Sequence, residues 1–560
     1  MTTKKKAKRP AATPLDGIFH YVERGGSFSG ELVAGITMAV LSVCGMFMNM
    51  QLVATLFVTP YTESSSQQIA ANGEVYALVW LMSMLVAFVG TLVMGLVARR
   101  PLVQVTSLSL SCVLVSTVSL NSGLTYYNML AIVFVANVLY LVVCALPQLR
   151  SLVLAALPRP VRLALPAAAG LLMAWIAVQL SGLFSTSGVI PDYGTAANLG
   201  TGFVQTSAMT HITGFSFLTD IYHPQMLLSA IAVVLAVAVY LIARRCQTDP
   251  CGKALVWGTV FFLVATVLAC GVNWKNFNVA LSFLWARLWM IGSEDAMQAH
   301  VSAAFASLSI GKVFTQGFDF SGFTGNGGNL ASVLASGVLS YVLMFVYDAD
   351  ASIGAVCAET GEGLLDEKTE AMPLLVNAGT NVIAALIGAS PVAIGKESVA
   401  GAKDGARSGL SAVVASVAFL VSAFVWVIPT IFATITSYGI SFNMYGHYGA
   451  TLQLLSQCSF SVADAVMTCV GLSMAAHACT VDVSDVAEAT PFVVTVAVTV
   501  LLTNIAAGAA AGTVAYVLVN LQAPRSRKGQ PKSRLVERVG GTQTLVWAIV
   551  SCVVLLAIAL

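Results

Sequence analysis

The sequence predicts an all-α polytopic membrane protein of about 14 transmembrane segments, arranged as a 7+7 inverted repeat. Three observations predict it. Hydrophobic residues fill 58% of the 560 positions and charged residues only 9%, against roughly 25% charged in soluble domains. Apolar runs near the roughly 20 residues needed to cross a bilayer recur along the whole chain. Each half also holds one short, interrupted apolar segment at the corresponding position, a pattern that points to inverted repeats with a site between them.

The runs fall in order at 32–57, 75–97, a short one at 102–118, 127–146, 163–183, 226–243 and 254–272. A second set follows at 330–357, 374–390, a short one at 392–402, 410–434 and 462–478. Residues 491–504 and 505–521 then read as two short spans or one broken one, and 544–560 is a further apolar run. The chain thus divides into a basic N-terminus (1–29), a first repeat (30–272), an outer loop (273–329), a second repeat (330–521) and a basic linker with an extra apolar segment (522–560).

Charge placement orients the spans by the positive-inside rule. Lys4, Lys5, Lys6, Lys8 and Arg9 make the N-terminus basic and cytoplasmic. Arg99, Arg100, the stretch from Arg150 to Arg162, Arg244, Arg245, Lys403 and Arg407 then fall on the same side. Loops 184–224 and 435–461 contain no Lys or Arg and fall outside. This is the pattern of a multi-pass protein of the cell membrane.

The two short segments read PLVQVTSLSLS (101–111) and ASPVAIGKES (389–398). Proline and β-branched residues favour an extended backbone at the start of each, before the chain turns helical. Non-helical backbone at membrane depth is tolerated only where protein or a cavity satisfies its N–H and C=O groups.

Asp348, in LMFVYDADASIGAV, and Glu397, in ALIGASPVAIGKESVAGA, are acids inside apolar stretches. A carboxylate at the bilayer centre costs at least about 2.5 kcal/mol, so such a group faces a bundle interior or cavity and marks a substrate or ion site. A structural acid hydrogen-bonded to serines or backbone is the plainer reading. The eleven cysteines are scattered through apolar runs and form no disulfide framework, and the six histidines do not cluster. No phosphate-binding loop, nucleophile elbow or zinc-protease motif is present, so neither ATP-driven transport nor hydrolytic chemistry has support, and without a nucleophile–base or metal constellation an enzyme is not expected. No cofactor, metal or nucleic-acid partner is implied.

Several segments resemble the AzgA-like purine (guanine/hypoxanthine/adenine) permeases of the nucleobase–cation symporter, or xanthine/uracil permease, superfamily. LDGIFHYVERGGSFSGELVAGITM resembles the approach to that family's first span, and LPRPVRLALPAAAGLLMAWIAVQLSGL its fifth. The most specific stretch runs from FVYDADASIGAVCAETGEGLLDE to LIGASPVAIGKESVAGAKDGARSGLSAVV. There Glu397, Ser398, Gly401, Gly405, Arg407, Ser408, Gly409 and Leu410 keep the family spacing. The resemblance implies a core domain and a gate domain, a site between two short midplane strands, and elevator-type import of a purine nucleobase with a proton. It implies substrate-binding roles for Asp348, Glu397, Ser398, Gly395, Ser109 and Ser111, and it allows a homodimer in the lipid bilayer. On this reading Asp348 and Glu397 share one cavity, where Glu397 stands near a half-helix start favourable to an anion.

Departures from the family are equally specific. Ser111 stands where the family has an asparagine, and Ser107 and Ser109 replace glycines. Ala351 occupies the place of a second acid, and Asp350 stands one residue early, about 100° round the helix. Lys396 precedes Glu397 where an apolar residue is usual; it either faces a gate and cytoplasmic water or neutralises Glu397. Asp350 and Lys396 are therefore coupling or gating candidates. A carrier of another small planar solute or organic anion, and a channel, are the competing readings; no ring of acids or filter-like run favours the channel.

Overall fold

The computed structural model describes residues 14–54, 56–57, 66–155, 157–180, 311–361, 367–423, 466–476 and 485–522, with a few shorter pieces. The expected spans at 226–243 and 254–272, and most of 544–560, lie outside the described residues.

The first half opens with a short helix α1 (Asp16–Phe19) and the long α2 (Phe28–Ala54) and α3 (Ser66–Val93). A π turn, Met94–Ala98, loosens the end of α3, Arg99 takes a left-handed conformation (φ 52°), and Pro101 forbids further helix. The chain then runs extended as β1 (Gln104–Thr106) and turns into the half-helix α4 (Leu108–Leu120), which Ser107 caps. Next come α5 (Tyr126–Ala145), opened by a Thr125–Asn128 capping box, the short α6 (Pro147–Ala155), and α7 (Arg159–Leu180). Two further short strands, β2 (Phe184–Ser185) and β3 (Ser216–Phe217), pair antiparallel.

The second half repeats the plan. After a short α8 (Ser321–Gly325), α9 (Leu330–Thr360) carries both Asp348 and Asp350. Helix α10 (Glu367–Ile387) ends in a Schellman turn: Gly388 is left-handed (φ 85°), and the Ala389 N–H donates to Ala384 O at 2.9 Å. Strand β4 (Val392–Ile394) and the half-helix α11 (Ser398–Lys403) follow, then α12 (Gly409–Ala423) and α13 (Val466–Ala475).

Of the two readings of 491–521, two separate helices is the one found: α14 (Val486–Leu501) and α15 (Ile505–Gln522). Asn504 Oδ1 caps α15 by accepting from the N–H groups of Ala506 and Ala507. Gly508 meets Thr499 and Thr495, while Gly512 meets Thr495 and Pro491, so the pair is an antiparallel hairpin. The segment expected to be outer loop is in part ordered against α5, where Asn128 Nδ2 donates to the carbonyls of Gly317 and Asp319 at 2.9 and 2.8 Å.

The inverted repeat is visible in how the helices interleave. Helix α2 packs on α12 as α9 packs on α5, and α3 packs on α12 as α10 packs on α5. Strands β1 and β4 pair antiparallel with Gln104 opposite Ile394, Val105 opposite Ala393 and Thr106 opposite Val392. A two-fold through Val105 and Ala393 therefore relates Gln104 to Val392. The backbone demand of these intramembrane strands is met symmetrically. Thr91 of α3 binds both the N–H and C=O of Gln104, at 2.8 and 3.2 Å. Asn381 of α10 binds both the N–H and C=O of Val392, at 2.8 and 2.6 Å.

Candidate functional site

The ladder extends one step beyond the strands on each side. Gly395 N–H donates to Val103 O, and Ser107 N–H donates to Pro391 O, both at 2.8 Å. Ser398 Oγ accepts from Val103 N–H at 3.0 Å. Ser398 thereby fastens the strands together at the first residue of α11, and it does not line the cavity between them.

Glu397 sits where β4 becomes α11. A Cβ built on Gly395 would lie 2.6 Å from Glu397 Oε2, and one on Gly45 of α2 would lie 3.2 Å from Oε1. Two glycines thus make the room this carboxylate occupies. Its Oε2 is buried and has no hydrogen-bond partner. Half-helix α11 has only six residues, too few for its dipole to carry the anion-binding role expected of it.

Glu397 faces a small cavity of about 30 Å³ at the strand crossing. Its polar lining includes Ser42, Thr106, Ser107, Ser109 and Lys396, and its apolar walls include the thioethers of Met46, Met173 and Met467. An apolar pocket with a few convergent polar groups is the usual form of a small-molecule site. Methionine walls adapt readily to the outline of a ligand.

The structure separates residues that the sequence placed together. Asp348 is buried but does not line the cavity; both its oxygens bind Lys396 Nζ, at 3.0 and 3.2 Å. The expected shared cavity of Asp348 and Glu397 is thus corrected: Asp348 touches it only through Lys396. Lys396 follows neither expectation, being buried and paired with Asp348 instead of open to water or bound to Glu397. Asp350, two residues on and about 200° round the helix, faces away and takes a bidentate contact from Arg162 of α7, at 2.9 and 3.2 Å. The same rotation divides the serines. Ser109 lines the cavity with its hydroxyl 3.1 Å from that of Ser107, whereas Ser111 is buried away from it. Gly395 lines the cavity through its backbone.

Sequence reasoning missed three residues. Ser42 and Thr106 line the cavity, and their hydroxyls are buried without a partner. Glu31, fully buried, accepts from the N–H groups of Arg407 (2.8 Å) and Ser411 (3.2 Å), fixing the start of α12. An acid in the first turn of an apolar span was the available signal for Glu31. Among the described residues no cluster of metal-binding side chains occurs.

Fold and cavity together define a class: a multi-pass membrane protein whose two interleaved repeats enclose a small, mainly apolar site with a few polar groups at crossed half-helices. Within that class, the chain is similar at low identity to guanine/hypoxanthine permeases. It is 24% identical over 417 residues to the guanine/hypoxanthine permease PbuO of Bacillus subtilis (strain 168), covering 73% of this chain and 77% of that protein. It is 26% identical over 518 residues to the guanine/hypoxanthine permease GhxP of Escherichia coli O157:H7, covering 92% and 93%. Among solved structures, the transmembrane domain of a cyanobacterium bicarbonate transporter, BicA, aligns with a TM-score of 0.34 and 13% identity, over 79% of this chain and 97% of that one. No protein-family model matches the chain.

Proposed function

We propose that this protein is a secondary transporter that imports a purine nucleobase, with Glu397 as the acid that grips it. The observation that carries the reading is the unpartnered Glu397 carboxylate oxygen, buried and facing a cavity between two half-helices. Purine N–H groups are donors, and a charge-assisted bond to a carboxylate is roughly twice as strong as a neutral one. The likeness to guanine/hypoxanthine permeases supports a purine over other planar solutes.

Proton symport is the coupling we propose. Asp348 is held by Lys396, which leaves Glu397 as the cavity acid able to carry a proton in with the substrate. The interleaved helices α2 to α5 and α9 to α12 would form the moving core, sliding as an elevator against α7, α14 and α15. The distribution of Lys and Arg supports a cytoplasmic N-terminus. A carrier of organic anions would need the charge of Lys396, and Asp348 already neutralises it.

The test is uptake of labelled guanine, hypoxanthine and adenine into cells expressing the chain, with and without a protonophore. Saturable uptake of at least one purine, abolished by the protonophore, is expected. A protein present in the membrane that takes up none of the three would overturn the substrate; uptake indifferent to the protonophore would overturn the coupling.

A further inference from the structure

We infer that Ser42 and Thr106 are specificity-determining residues of this cavity, each donating its hydroxyl hydrogen to a ring nitrogen or carbonyl oxygen on the ligand edge that Glu397 leaves free. The inference rests on the nucleobase reading and goes beyond the residues that reading assigns.

Three residues that line the same cavity, on three different elements, each hold one buried polar atom without a partner: Ser42 Oγ on α2, Thr106 Oγ1 on β1 and Glu397 Oε2 at the start of α11. Their residues are 0%, 3% and 2% exposed. Buried polar groups are normally hydrogen-bonded, so a convergence of three without partners calls for one that arrives from outside.

Ser42 makes the point most sharply. Serine and threonine inside helices usually donate back to a carbonyl three or four residues earlier. Thr117, Thr380, Thr495 and Thr499 all do so, at 2.7–2.8 Å. Ser42 lies in α2 with the same option and does not take it. It shares a helix face with Gly45 and Met46, three and four residues on, and Gly45 borders Glu397. Thr106 contrasts in the same way with Ser107 and Ser109, whose hydroxyls pair with each other.

The arrangement supplies one strong acceptor and two donors. A purine offers the complement: N–H groups on one edge, and lone pairs on ring nitrogens and on any exocyclic oxygen elsewhere. Glu397 holds the N–H side, and the two hydroxyls read where the acceptors lie.

Thr106→Val, isosteric but without the hydroxyl, and Ser42→Ala are compared with wild type for hypoxanthine uptake at equal membrane levels. Hypoxanthine, 3-deazahypoxanthine and 7-deazahypoxanthine serve as competitors, each deaza compound lacking one ring-nitrogen acceptor. Each variant should raise KM about 5–20-fold, the loss of one hydrogen bond to a buried group. Thr106→Ser, which keeps the hydroxyl, should stay near wild type. At least one deaza compound should compete markedly worse than hypoxanthine against wild type, and equally well against the variant lacking the matching hydroxyl, as a double-mutant cycle requires. If Ser42→Ala fails to reach the membrane, Ser42→Cys takes its place. Unchanged KM in both variants, or raised KM with the competitor ranking of wild type, would overturn the inference and leave the nucleobase reading standing. A wild type that takes up no purine would overturn both.

Discussion

Lys396 Nζ lies 3.0 and 3.2 Å from the two carboxylate oxygens of Asp348, closing a buried ion pair between the residue before Glu397 and the middle of α9. The pair leaves a cavity acid and an internal cation side by side without joining them. Asp348 is an anchor for Lys396, and Glu397 is the acid left to face the cavity.

Breaking a buried pair by removing one partner strands the other charge, at about 3–5 kcal/mol. Lys396→Met should therefore lower the Tm of the purified protein sharply and reduce its level in the membrane. Adding Asp348→Asn to that variant should recover most of the loss. Thermal unfolding in detergent of the two single variants and the double variant measures the coupling directly.

The strand clamps make a second prediction. Asn381→Leu removes the partners of both the N–H and the C=O of Val392, and Thr91→Val does the same to Gln104. Each orphaned group costs about 1–3 kcal/mol. Both variants should fold poorly, and Thr91→Ser, which keeps the hydroxyl, should behave as wild type. Yield of monodisperse protein after solubilisation reads the difference.

Glycine substitutions separate site from scaffold. A Cβ at Gly395 would crowd Glu397 Oε2, whereas Gly379 of α10 has open space around it. Gly395→Ala should displace the carboxylate and cut uptake about tenfold or more, taking roughly 1.4 kcal/mol per factor of ten. Gly379→Ala should leave uptake intact and add up to about 1 kcal/mol through helix propensity. Uptake and Tm measured on both variants decide it.

Much of this was legible in the sequence, and the reasons for the rest are local. Proline with β-branched residues at 101–106 and 391–394 announced the two extended segments. Their register was not legible, because it depends on residues far apart in the chain meeting at Val105 and Ala393. Helix phase explains the serines: Ser107 caps α4, which turns Ser109 into the cavity and Ser111 away from it. The partner of Lys396 was equally invisible, since adjacency to Glu397 says nothing about where a long side chain reaches. Ser42 and Thr106 escaped because a hydroxyl in an apolar segment normally bonds its own backbone; only the folded structure shows that these two do not.

Coupling gives a further prediction with a definite sign. On the proposed symport, a proton bound at Glu397 from the outside and released inside makes uptake rise as external pH falls. Glu397→Gln, unable to exchange a proton, should flatten whatever uptake it retains against external pH. Initial rates across a series of external pH values, at constant internal pH, read both profiles.

The most direct measurement is hypoxanthine uptake by Glu397→Gln and wild type at matched membrane levels. The substitution keeps the side chain's shape between Gly45 and Gly395, removes its charge and turns one acceptor oxygen into an NH2 donor. Losing a charge-assisted hydrogen bond, worth about 1.5–3 kcal/mol, should raise KM roughly 10–100-fold or abolish uptake, with Tm unchanged or higher. Wild-type KM and rate in Glu397→Gln would contradict the assignment of Glu397 as the substrate-gripping acid.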